Sequence, residues 1–119
     1  MTQGFETLIV WQKAKELCLF CYYLSKNFPR EERFSLTSQL RRAGVSVPSN
    51  IAEGYSRKSS KNAMQFVNIS IGSLYECMTQ VDIAYELGYI SSEDRNRFFV
   101  KSEELLKLVN GYKKYMRRS

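Results

Sequence analysis

Histidine is absent from this chain of 119 residues, and its absence removes whole classes of chemistry. Without an imidazole there is no Ser-His-Asp or Cys-His nucleophilic site. There is also no HExxH zinc site, and no Glu-x-x-His pair of the kind that holds di-iron centres in helical bundles. Proline occurs only at positions 29 and 48, and glycine six times; such sparse punctuation favours a few long elements over many short strands. No apolar run approaches the roughly 18 residues that a membrane span needs. The opening residues, Met1 to Phe5, lack the charged region and apolar stretch of a secretory signal, so the expected location is the cytoplasm. Cysteine is scarce as well, with three residues. An odd count suits a reducing compartment where thiols fill core positions. Cys18 and Cys21 have C-x-x-C spacing, but a zinc ribbon needs a second such pair and a redox site needs a preceding strand. The glycines form neither a P-loop nor a dinucleotide fingerprint. No cofactor, metal or catalytic residue is expected.

What is present is periodicity. Hydrophobic residues make up 44% of the chain, enough for one globular domain over residues 1–119. They recur at alternating steps of four and three in four stretches. The first holds Val10, Ala14, Leu17, Cys21, Leu24 and Phe28; the second Leu36, Leu40, Ala43 and Val47, with Ile51 one step off register. The third holds Val67, Ile71, Leu74, Met78, Val81 and Tyr85; the fourth Phe98, Leu105, Val109, Tyr112 and Met116, with Ser102 filling the gap. This spacing keeps one stripe of each helix facing its neighbours at a shallow angle. Asn27-Phe28-Pro29 ends the first helix, Gly54 and the polar stretch 56–60 separate the second from the third, and Gly88 followed by Ser91 or Ser92 separates the third from the fourth. Connections this short predict an all-α, antiparallel, up-down-up-down four-helix bundle. Pro48 falls inside the second stripe, with Gly44 four residues back. The pair predicts a kinked second helix and not two helices.

Charge is unevenly spread. The net charge is +6, yet residues 62–90 contain no lysine or arginine and three acids. The third helix carries a second apolar stripe, Phe66, Ile69, Ser73, Cys77, Ala84 and Leu87. A helix apolar on two faces suggests a partner surface, most simply a second copy of the chain. In the predicted topology the turn after the second helix lies beside the end of the fourth. Arg57, Lys58 and Lys61 then meet Lys113, Lys114, Arg117 and Arg118, with few acids near them, whereas charges at the opposite end nearly cancel. A basic end of this kind suits phosphate contacts, with RNA or DNA as the partner, although cations at a helix C-terminus also arise simply to complement its dipole. No base-reading motif is visible, so backbone- or shape-directed binding is expected. Eight tyrosines, seven phenylalanines and Trp11 could stack bases, but at helical spacing most are expected in the core or an interface. Glu53 and Glu76 could form a carboxylate pair. The simpler reading pairs them with Arg41 and Arg42.

These residues together resemble the four-helix bundle proteins encoded in intervening sequences of bacterial large-subunit ribosomal RNA genes. The likeness is carried by stretches 8–14, 28–32, 36–43, 72–76 and 87–90, and above all by Pro48-Ser49-Asn50-Ile51-Ala52-Glu53-Gly54. The resemblance implies a homopentameric ring. It also implies a relationship to the accessory protein of diversity-generating retroelements, a basic pentamer that engages nucleic acid and a reverse transcriptase. Within that pattern Arg41, Arg42, Asn50, Glu53, Ser73 and Glu76 are implied to be polar contacts between helices. A role as a ribosomal component finds no support in the residues. The rival reading is a protein-interaction or structural scaffold whose charge serves solubility.

Overall fold

Each of the four stripes lies along one helix of the computed structural model, which describes residues 4–118, except that Phe28 of the first stripe falls beyond the end of its helix. Helix α1 is Ile9–Ser25, α2 Leu36–Tyr55, α3 Ser60–Glu86 and α4 Ser92–Arg117; short 3-10 turns at Phe5–Thr7 and Arg30–Glu32 precede α1 and α2. No strand occurs among the described residues. At about 1.5 Å per residue, α3 is roughly 40 Å long, which accounts for most of the molecule's 45 Å length.

The stripe positions make the core. Ala14, Cys21, Leu40, Val47, Ile51, Val67, Leu74, Val81 and Phe98 are completely or almost completely buried, and Ser102 fills its gap in α4 by donating to the Phe98 carbonyl at 2.8 Å. The α1–α2 seam pairs Arg41 with Ser25 and Gly44 with Cys21 and Cys18. The α2–α3 seam pairs Ser46 with Ser73, Val47 with Ser70 and Gly54 with Ala63 and Val67. In both seams residue numbers rise along one helix as they fall along the other. Phe20 packs its ring 5.5 Å from that of Phe98, and Arg95 meets Asp82 at 2.9 Å, which closes the remaining sides.

The helix ends follow local chemistry. Ser91 caps α4 by accepting from the Asp94 amide at 3.1 Å, and Ser59 caps α3 by accepting from Asn62 at 3.2 Å. Gly88, at φ +81°, stops α3. Its amide donates to Tyr85 and that of Tyr89 to Ala84, both at 2.9 Å, the paired bonds that close a helix on a left-handed residue. Helix α2 is continuous through the buried Pro48 and through Gly54 as far as Tyr55, so Gly54 does not mark the break. The second α3 stripe divides: Ser73, Cys77 and Ala84 enter the core, while Ile69 (51% exposed) and Leu87 (54%) face outward. Of the first group, Ser73 bonds Ser46 of α2 and Cys77 approaches Cys21 of α1. Tyr85, from the main stripe, is exposed where α3 runs out.

Candidate nucleic-acid interface

The turn joining α2 to α3 is short and tightly bonded. The Ser56 amide donates to the Ala52 and Glu53 carbonyls at 3.2 Å, and the Arg57 amide to Gly54 at 3.1 Å. These bonds finish α2 and hold Arg57 and Lys58 at the end of the bundle where α4 terminates. Between the turn and α4 lies a groove of about 230 Å³, bounded by Tyr55, Arg57, Lys58 and Ser59 on one side and Tyr112, Tyr115 and Met116 on the other.

The seven cations expected at this end are not equally available. Arg57 is engaged: its guanidinium meets the Glu53 carboxylate at 3.0 Å and lies 4.5 Å from the centre of the Phe66 ring. Lys58, Lys61, Lys114, Arg117 and Arg118 are exposed, and Lys113 is half-buried. None of these six makes an ion pair with a described residue. On α4, Lys113 shares a face with Arg117, and Lys114 with Arg118, because residues four apart sit above one another. The two pairs point about 100° apart, so the positive charge forms a collar. The end also holds more acid than expected, since Glu6 and Glu53 border a neighbouring groove with Ser49 and Tyr55. At the opposite end, Arg95 is paired with Asp82 and Arg97 with Asp94, and the Tyr89 hydroxyl donates to Glu32 at 2.8 Å.

The groove contributes a feature that periodicity alone had assigned to the core. Tyr112 and Tyr115 stack with ring centres 6.5 Å apart and planes 20° apart. Burial first, and then the neighbouring Tyr55 and Tyr115, push the Tyr112 phenol above its ordinary range. The ring therefore stays neutral.

The fold that carries this groove has known relatives. A family model described as 23S rRNA-intervening sequence protein matches residues 6–111. The chain belongs to that family. A solved structure similar to this chain is that of a protein of unknown function from the S23 ribosomal protein family of Bacteroides thetaiotaomicron. The two are 24% identical, with 89% of this chain and 99% of that chain covered and a TM-score of 0.81; at that identity the likeness is one of fold. None of the curated proteins matches this chain.

Among the polar residues implied as contacts between helices, Arg41 crosses from α2 to donate to Ser25 of α1 at 2.9 Å and lies over the Tyr22 ring. Ser73 of α3 bonds Ser46 of α2 at 2.7 Å. Asn50 instead stays within α2, donating to the Ser46 carbonyl and hydroxyl, both at 2.9 Å. The expected pairing of Glu53 and Glu76 with Arg41 and Arg42 is corrected. Both glutamates are exposed, so neither needs a buried partner, and Arg57, four residues on from Glu53, reaches it first. Arg42 and Glu76 line opposite sides of an open α2–α3 groove without forming an ion pair. In that groove the side-chain amide oxygen (Oε1) of Gln80 is buried with no hydrogen-bond partner among the described residues.

The thiols are core groups. Cys18, Cys21 and Cys77 are all buried and free, and Cys21 and Cys77 approach to 4.0 Å between sulfurs. Hydrogen bonding to Cys77, then burial, hold the Cys21 thiol well above its usual range, and burial raises Cys18. Neither is a thiolate near neutral pH, which is what nucleophilic or redox work would require.

Proposed function

We propose that this chain is a non-enzymatic, self-associating helical module whose basic end binds RNA or DNA through phosphate contacts. One observation carries the reading: the cations at the α4 end carry no ion pair with a described residue beyond that of Arg57, whereas Arg95 and Arg97 at the other end are neutralised. Unpaired lysines and arginines release counterions when phosphates replace them, and that release drives binding without a base-reading motif. The family resemblance implies a ring of five subunits, each bearing +6, so that several collars act on one polyanion. A nucleic-acid-associated protein such as a reverse transcriptase is a further partner that the family resemblance suggests. The non-enzymatic reading is supported by the engagement of Glu53 with Arg57 and by the burial that raises the Cys18 and Cys21 thiols.

The test measures binding of labelled structured RNA and duplex DNA across a salt series. Affinity should fall steeply as salt rises, the logarithmic slope reporting about 0.9 per duplex phosphate contacted. Neutralising Arg57, Lys58, Lys61, Lys113, Lys114, Arg117 and Arg118 together should abolish binding and leave the oligomer's mass unchanged. Binding that survives this change removes the collar from consideration.

A second reading, a scaffold that binds protein alone, is favoured by the outward apolar residues of α3. It predicts a protein that co-purifies and no nucleic acid retained after a high-salt wash.

A further inference from the structure

We infer that the groove between the α2–α3 turn and the last turns of α4 takes unpaired nucleotides of a single strand, stacking a base on its tyrosines while the surrounding cations hold the adjoining phosphates. This rests on the proposed nucleic-acid binding and extends it from the backbone to the bases.

Three properties of the groove select this occupant. Its walls are aromatic: Tyr115 is 68% exposed and lies nearly parallel to Tyr112, and Tyr55 faces them across the opening. Flat, partly wet rings of this kind favour another flat ring, and every base offers one whatever its sequence. Its volume of about 230 Å³ lies below the roughly 300–1,000 Å³ of a site for a drug-sized molecule. It suits one ring system with the rest of the ligand outside. Its rim is cationic, with Lys58 in the lining and Lys114 next to Tyr115 in sequence. An apolar peptide would leave these charges without partners, whereas a nucleotide brings phosphate to them. A duplex, whose bases are already stacked, gains nothing here, so the groove distinguishes single strands and loops from paired regions.

The experiment uses the full chain and three labelled ligands of equal length in one buffer: a single-stranded oligonucleotide, the same backbone with abasic sites, and a duplex. The base-bearing strand should bind roughly tenfold or more tighter than the abasic one, since stacking contributes on the order of one to three kcal/mol per base. Tyr115→Ala, a change at the surface, should remove that advantage and leave abasic affinity unaltered; Tyr55→Leu should reduce it. Equal affinity for base-bearing and abasic strands overturns the stacking inference and leaves the phosphate reading standing. Absence of binding to all three at low salt overturns both. An oligoglutamate of matching charge that binds as tightly as the strand also overturns it, and assigns the groove to acidic protein.

Discussion

Gly44 shows how one position can answer to two demands. It lies four residues before Pro48, so its carbonyl has no amide to receive within α2. It also lies against α1, where an added Cβ would stand 3.1 Å from both the Cβ and the Sγ of Cys21. The first demand was legible in the sequence; the second was not, because nothing in the spacing says which positions of α1 and α2 meet. The two make opposite predictions for Gly44→Ala. Helix propensity alone would add about 1 kcal/mol of stability, whereas forcing a methyl group into a packed seam costs about 1–3 kcal/mol. The Cys21 Cβ is fixed to the backbone and cannot swing away, so the packing cost should prevail. Gly44→Ala is expected to lower stability by about 1 kcal/mol, read as a shifted midpoint in urea at unchanged slope. A variant as stable as the parent would mean that the seam opens freely, and that Gly44 answers to Pro48 alone.

Among the elements, α3 and α4 are joined by signals that a sequence states openly: Gly88 as a stop, Ser91 as a cap and Glu93 with Asp94 in the first turn. Replacing Ser91 by alanine removes the acceptor of the Asp94 amide and should cost about 1 kcal/mol. Ser91→Asp keeps an acceptor and adds a negative charge at the positive end of the helix, worth about 0.3–1 kcal/mol. Thermal unfolding should therefore rank aspartate at or above serine and both above alanine; alanine equal to serine would show that the cap is redundant with the turn before it. The same clarity did not extend to α2. Gly54 reads as punctuation but lies inside the helix, and the pairing of Arg57 with Glu53 was present in the four-residue spacing yet assigned elsewhere. The main stripes were legible because a period survives any rearrangement of neighbours. The tyrosine groove was not, since Tyr55 and Tyr112 come together only after α2 and α4 finish at the same end.

For the whole molecule, the deciding question is what covers the outer side of α3. Ile69 and Ile83, 51% and 44% exposed, lie on one side of the helix with Glu76 between them, and after Lys61 no cation occurs on α3. Beside them run Arg42 and the buried, unpartnered Gln80 oxygen. A second copy would bring apolar cover, a donor for Gln80 and an opposite charge for Arg42 and Glu76 together; water brings only the donor. Fully burying an isoleucine contributes about 1.5–3 kcal/mol; with each already about half buried, losing the pair weakens association on the order of 10- to 100-fold, before the cost of burying charge is added. The double variant Ile69→Lys, Ile83→Lys should therefore run as the 13.9 kDa monomer in light scattering at concentrations where the parent is larger. Its own unfolding should change little, because both side chains already face solvent. Affinity for a long polyanion should drop with it, since separate collars lose the advantage of acting on one strand, while affinity for a short oligonucleotide should hold. A variant with the parent's mass would place the interface elsewhere. A monomeric parent would leave α3 without a copy of itself to cover it.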